Sequence, residues 1–357
     1  MQILFRIVLV MTLLILFVPR SIGQMGPGAA TQVSGVVDTY FAYAFTRPET
    51  RDRSFSTQPL RHNEFALNLA MIDVHYGGEG IRGRFAFQTG TYVQSNLAAE
   101  PSLLKNVLEA SAGIMIAREV WLDAGIIPSH IGFEGIISRD NWNYSRSILA
   151  DYSPYYQAGV SLSAQLSPNL LVRALVLNGW QNIMETNDSK AVGTQVQFRP
   201  HPAILLNWST FVGNEQPDSV ASRLRLFSDF YATIDVSSHT SFAIVFDIGG
   251  QKQMASDGYD SWYATSLMAR YRLTSDWSVG GRVEYFDDRM GVLVPTGTPE
   301  NFRTWSASSN IDYSPVPSLL WRVEGRFFNS HDAIYPSRTG LERLDGFVVV
   351  SAFVTLQ

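Results

Sequence analysis

Apolar and polar side chains alternate along residues 24–357 in stretches of about ten residues, separated by clusters of Gly, Pro, Asn, Asp and Ser. A period of two is the mark of strands whose two faces meet different surroundings. In residues 81–93, Ile81, Gly83, Phe85, Phe87 and Val93 share one parity, and Arg82, Arg84, Gln88 and Tyr92 the other. Residues 155–166 set Tyr156, Ala158, Val160 and Leu162 against Gln157, Ser161, Ser163 and Gln165. Residues 277–286 set Val279, Val283 and Tyr285 against Ser278, Arg282 and Glu284. Near the end, Trp321, Val323 and Phe327 alternate with Arg322, Glu324 and Arg326.

The pattern predicts sixteen strands, at 32–44, 62–76, 81–93, 107–116, 119–127, 153–166, 170–179, 190–199, 203–212, 222–234, 240–249, 261–272, 277–286, 302–313, 319–328 and 344–356. An even count is what a single-chain bacterial outer-membrane barrel requires. The connections alternate in length. Those at 77–80, 117–118, 167–169, 200–202, 235–239, 273–276 and 314–318 are short, whereas 45–61, 94–106, 128–152, 180–189, 213–221, 250–260, 287–301 and 329–343 are long. Short turns on one rim and long loops on the other belong to a transmembrane antiparallel β-barrel, with the short turns periplasmic. Both chain termini then lie on the periplasmic side. Trp208, Tyr231, Trp262, Tyr271, Trp277, Trp305, Tyr313 and Trp321 fall near segment ends and are expected to form interfacial girdles.

Residues 1–23 stand apart from this pattern. Arg6 precedes an apolar block at 7–18, followed by Pro19, Arg20 and Ser21-Ile22-Gly23, which reads as a secretory signal peptide cut before Gln24. No cysteine follows it for lipidation, and none occurs anywhere, so thiolate metal sites and catalytic cysteines are excluded. Losing Arg6 and Arg20 takes the formal charge from −5 to −7, which argues against nucleic acid as a partner. The chain is 46% apolar with only 17% charged residues, too apolar for disorder. After residue 23, however, no run approaches the roughly 20 apolar residues of a membrane helix. One domain, 24–357, accounts for the rest.

A wide barrel places its function on the inner parity and on any loop that folds inward. Arg82, Arg84, Arg199, Arg223, Arg225, Arg270, Arg272, Arg282, Arg322 and Arg326 fall on that parity, since an Arg facing lipid at mid-membrane costs about 2–4 kcal/mol. Asp38, Glu64, Glu109, Asp123, Asp229, Asp247, Glu284 and Glu324 accompany them, giving a lumen wall of mixed sign, in which any one charge can equally serve a cross-strand salt bridge. Segment 128–152 is the longest connection. Its apolar anchors Ile131, Phe133, Ile136, Ile137, Trp142 and Ile148 predict an inward-folded constriction loop presenting Glu134, Arg139, Asp140 and Arg146 to the channel.

The runs Trp121-Leu122-Asp123-Ala124-Gly125-Ile126-Ile127-Pro128-Ser129-His130-Ile131-Gly132-Phe133-Glu134 and Asp140-Asn141-Trp142, with Tyr144, Arg146 and Ser147, carry a resemblance. Ser153-Pro154-Tyr155-Tyr156, Gly159-Val160 and Leu177-Asn178-Gly179-Trp180-Gln181 extend it. In this order the chain resembles the OmpL-like β-barrel porin family over its whole mature length. The resemblance implies an outer-membrane channel of a Gram-negative bacterium, with no catalytic residues to carry over. One departure is the C-terminus, where Thr355-Leu356-Gln357 stands in place of the terminal aromatic common in outer-membrane proteins.

Catalytic and metal chemistry find little footing. Ser129-His130 and His331-Asp332 are fragments without the geometry of a triad. Asp287-Asp288, and Asp257 with Asp260, are loose oxygen donors for calcium. The expectation is therefore no enzyme, no cofactor and no metal. The chain is read as a porin for small polar solutes, with outer-membrane lipid around it and a homotrimer expected by analogy. Two alternatives stand beside it: a selective channel with Tyr40 and Tyr92 as a stacking track for a sugar, and a non-conducting barrel whose outer loops bind a partner.

Overall fold

The computed structural model describes residues 30–356. The leader proposed at 1–23, residues 24–29 and Gln357 lie outside that range. Sixteen strands close into one barrel. They are β1 (Ala30–Ala44), β2 (Glu64–Gly78), β3 (Ile81–Thr89), β4 (Val107–Ala117), β5 (Val120–Pro128), β6 (Tyr156–Ser167), β7 (Leu170–Leu177) and β8 (Ala191–His201). The second half continues with β9 (Ile204–Asn214), β10 (Leu224–Asp235), β11 (Thr240–Lys252), β12 (Tyr259–Arg272), β13 (Trp277–Asp288), β14 (Phe302–Val316) and β15 (Leu319–Ser330). A hairpin of β16 (Tyr335–Ser337) and β17 (Gly340–Glu342) sits in the last long loop, and β18 (Leu344–Leu356) completes the wall.

Each wall strand pairs antiparallel with its sequence neighbour, and β18 closes on β1 in a register running from Gly35 opposite Leu356 to Ala44 opposite Phe347. Closure satisfies every strand edge, which an open sheet in lipid could not do. Among the described residues no helix is long and apolar enough to cross a membrane.

The two parities have the predicted destinations. Outward, Leu267, Val283, Val323 and Phe327 are exposed, while inward Arg282, Glu284, Glu324 and Arg326 are buried. Tyr271, Trp277, Tyr313 and Trp321 lie outside near the short-turn rim, where Trp277 and Tyr313 stack 4.4 Å apart. Trp305 lies outside near the other rim, against Tyr285 at 4.6 Å. Tyr231 and Trp262 do not join a girdle. Both fall on the inward parity, Tyr231 with Asp229 and Trp262 with Arg270, and are buried among aromatics inside the barrel.

The other departure is in residues 81–93. The strand stops at Thr89, and a short helix, α1 (Thr91–Asn96), turns into the barrel. Gly90 makes the break, with φ of 136° and its Cα so near the β2 backbone that a Cβ would stand 2.2 Å from the Asn68 carbonyl oxygen. Tyr92 and Val93 consequently become buried residues of the interior.

Candidate functional site

The interior is shaped by the long connection between β5 and β6, residues 129–155. It descends inside the barrel from the long-loop rim. Near its start, the His130 ring lies over Gly193, with Nε2 donating to the Thr210 carbonyl at 2.9 Å and Nδ1 2.9 Å from the Gln157 side chain. The His130 carbonyl accepts from Gln195 at 2.9 Å and Ser209 at 2.7 Å. Gly132 N–H donates to Asp229 at 3.2 Å. Phe133 then packs between Tyr231 and Trp142, at 5.7 and 5.6 Å.

Ile136 and Ile137 cover an apolar patch of the inner wall formed by Val36, Leu69, Leu320 and Phe353. Beside it, Ser138 donates to Asp38 at 2.7 Å, a carboxylate that also takes Asn68, the bulged residue of β2, at 2.7 Å. Arg139 reaches the carbonyl of Pro317 at 2.5 Å, in the turn between β14 and β15. The segment thus runs the height of the barrel before climbing back through α2 (Ile148–Asp151), capped by Ser147.

A segment buried this deeply carries backbone groups that need partners, and the wall supplies them as charges. Arg282 pairs with Glu134 and Glu284, both at 3.1 Å, and donates to the Ser145 carbonyl at 2.7 Å. Glu324 accepts Ser145 N–H at 2.8 Å, and Glu284 accepts Ile148 N–H at 2.5 Å. Arg326 bridges Glu284 at 2.6 Å and the Arg146 carbonyl at 2.7 Å. Arg322 is held bidentately by Asp312 at 2.7 Å and donates to the carbonyls of Ser138 and Asn141 at 2.8 and 3.0 Å.

These contacts correct the expected roles. Glu134 and Arg146, predicted to face the channel, are buried, with side-chain exposures of 2% and 0%. Glu134 binds Arg282 and Ser147, while Arg146 lies over the rings of Tyr92 and Tyr155 and pairs with Asp151 at 3.3 Å. Arg282, Arg322, Glu324 and Arg326, expected on an open lumen wall, are covered by the segment instead. Arg225 is buried against Gln251, and Arg223 stands at the long-loop rim, bonded to Asp260 at 3.0 Å. Of the four loop residues, Arg139 is half-buried and Asp140 exposed. Tyr40 and Tyr92 offer no stacking track, since both are buried; Tyr40 OH accepts the backbone N–H of Arg61 at 2.9 Å.

The long-loop half of the interior holds two aromatic groups beside its buried charges. Trp180 meets Phe211 and Phe227 edge-on at 4.9 and 4.8 Å, and Tyr152, Phe286 and Phe302 form a second group with spacings of 5.6 Å. Open polar space lies elsewhere, in a chamber of about 290 Å³ against β2–β7 toward the short-turn rim. Arg82 and Arg84 face it with side-chain exposures of 42% and 28%. Arg82 is held by Asp123 at 2.6 Å, and Arg84 lies between Asp73 at 2.7 Å and Glu109 at 2.5 Å. Arg173 also lines it and was not singled out by the sequence pattern. It is the one charge in the run Leu-Leu-Val-Arg-Ala-Leu-Val-Leu of β7, where apolar residues on both parities hide the alternation.

The loose catalytic and calcium candidates are occupied by protein partners. Asp288 accepts the N–H groups of Val292, Leu293 and Val294 at 2.7–2.8 Å, Asp287 pairs with Arg289 at 2.7 Å, and Asp257 pairs with Lys252 at 3.3 Å. His331 contacts Asp332 at 2.9 Å on an exposed loop. In the first long loop, burial and the nearby Arg338 and Arg47 push the His62 imidazole below its ordinary pKa, suiting it to accept Ala44 N–H at 2.9 Å.

A Cβ at Gly193 would stand 2.5 Å from the His130 ring. Gly193→Ala is therefore expected to lift His130 from Thr210 and destabilise the protein by about 1–3 kcal/mol, read as a lower denaturant midpoint. An unchanged midpoint would mean that the ring is not seated there.

The family model described as beta-barrel porin-2, OmpL-like, matches residues 30–356. No curated protein matches the chain in sequence. Among solved structures, the in-vitro folded OmpT of Vibrio cholerae in its trimer form is similar, with a TM-score of 0.61 and 8% identity over 92% of this chain and 100% of that one. The outer membrane channel DcaP of Acinetobacter baumannii scores 0.60 at 10% identity, covering 94% and 99%. The anion-selective porin from Comamonas acidovorans scores 0.59 at 11% identity, covering 92% and 100%. At such identities these likenesses speak for the fold, whereas the family match spans every described residue. The chain belongs to the OmpL-like beta-barrel porin-2 family of outer-membrane β-barrels.

Proposed function

We propose that this protein is a diffusion channel for small polar solutes, with its water path displaced to the β2–β7 side by the internal segment. The observation that carries this reading is the polar chamber beside that segment, lined by Arg82, Arg84 and Asp123. Passage is passive, and the facing charges of both signs sort solutes by charge. On this reading the leader at 1–23 directs export, the short turns face the periplasm, and Arg139 and Asp140 narrow the path at the tip of the segment. A homotrimer is part of the proposal, supported by the trimer form of the structurally similar Vibrio protein.

A second reading follows from the aromatic packing of the long-loop half: a barrel that does not conduct and whose outer loops bind a partner. Planar-bilayer recording of the purified, refolded protein separates the two. Stepwise currents, larger after deletion of 134–146, are expected of the channel. Flat current from protein whose circular dichroism shows folded β-structure would reject it.

A further inference from the structure

The chamber holds three guanidinium groups, and they are not equivalent. Arg82 is satisfied by Asp123 and lies 4.3 Å over the Trp121 ring. Arg84 is satisfied by Asp73 and Glu109 together. Arg173 forms no ion pair among the described residues, and its buried Nε has no hydrogen-bond partner. It stands in register with Ser163 on β6, and Ser161 and Ser163 share the chamber with it. A guanidinium with unused donors beside an open polar space is a receptor for a planar anion, which its forked geometry engages through two parallel hydrogen bonds.

The remaining lining sets the rest of the ligand. Ser161 and Ser163 supply hydroxyls, and Asp123 and Glu109 supply acceptor oxygens, a set suited to several ligand hydroxyl groups. A second negative charge on the ligand would meet those two carboxylates and be repelled. A volume of about 290 Å³ accommodates a molecule of sugar size. We propose that the chamber is a subsite for polyhydroxylated monocarboxylates, the sugar-acid class, with Arg173 taking the carboxylate. The inference rests on the channel reading and names the solute class of that path. Weak binding suits it, because a channel subsite must also release its solute.

The test is calorimetric titration of the detergent-refolded barrel with gluconate, glucose and glucarate. Gluconate is expected to bind in the millimolar range, with glucose and glucarate each at least about tenfold weaker, the factor expected for a charge-assisted hydrogen bond. Arg173→Gln should weaken gluconate at least about tenfold, and Arg173→Lys less, since the charge remains. Arg118→Gln, in the exposed turn before β5, controls for the general field and should leave the affinity unchanged. Folding of each variant is checked by heat-dependent gel mobility. Equal gluconate affinity in wild type and folded Arg173→Gln, or glucose or glucarate binding as tightly as gluconate, would overturn the proposal. So would folded wild type that binds no gluconate. Calorimetry needs no current, so a protein that conducts without binding gluconate loses only the subsite, and one that binds without conducting loses only the channel.

Discussion

Replacing Arg282 by Met is expected to release the internal segment from the wall, raising single-channel conductance and exposing 129–155 to protease. Arg282 is buried and stands among Glu134 and Glu284 at 3.1 Å and Glu324 at 3.7 Å. Removing one partner from a buried charge cluster leaves the others uncompensated, at a cost of about 3–5 kcal/mol. Here three carboxylates face that loss, and each also holds a backbone N–H of the segment, Glu284 that of Ile148, Glu324 that of Ser145 and Glu134 that of Ser147. The barrel strands keep their own ladders, so the segment is what gives way. Adding Glu134→Leu to the variant removes one stranded carboxylate and should recover part of the lost docking, a coupling that neither single change shows alone. Unchanged current and unchanged proteolysis in Arg282→Met would mean that the charges do not hold the segment.

Val323→Arg tests the other face of the same wall. Val323 is exposed outward in the middle of β15, between inward Arg322 and Glu324. An arginine is already the preceding residue, so helix or strand propensity does not decide the outcome; the face does. Toward lipid the new guanidinium has no partners, and folding into phospholipid bilayers should lose about 2–4 kcal/mol in a denaturant titration. A loss below about 1 kcal/mol, as near the membrane interface, would place Val323 away from mid-membrane.

The period-two pattern made the wall legible, because each strand's parity is a local property of consecutive residues. Val283 outside and Arg282 inside follow from sequence neighbours alone, as do the short and long connections. Parity names a face, however, and not what stands opposite it. Trp262 and Tyr231 lie on the inward parity of Arg270 and Asp229, but no local pattern announces that Phe227 stacks on Trp262 or that Phe133 covers Tyr231. The same limit made Glu134 and Arg146 look like channel-facing charges.

By itself, then, the sequence determined a sixteen-stranded antiparallel barrel, its short-turn and long-loop rims, and which parity faces lipid, since every hydrogen-bonded strand pair of the wall except the β1–β18 closure joins successive wall strands of the chain. Only the tertiary structure decided that the interior is partly filled and that Arg82, Arg84 and Arg173 come together around one polar chamber. Those contacts join Ser138 to Asp38, Arg139 to Pro317 and Ser145 to Glu324, residues at least 100 positions apart. Such pairings exist only after the barrel has closed, and closure is what turns an inward charge either into a partner for a buried backbone or into one that meets water.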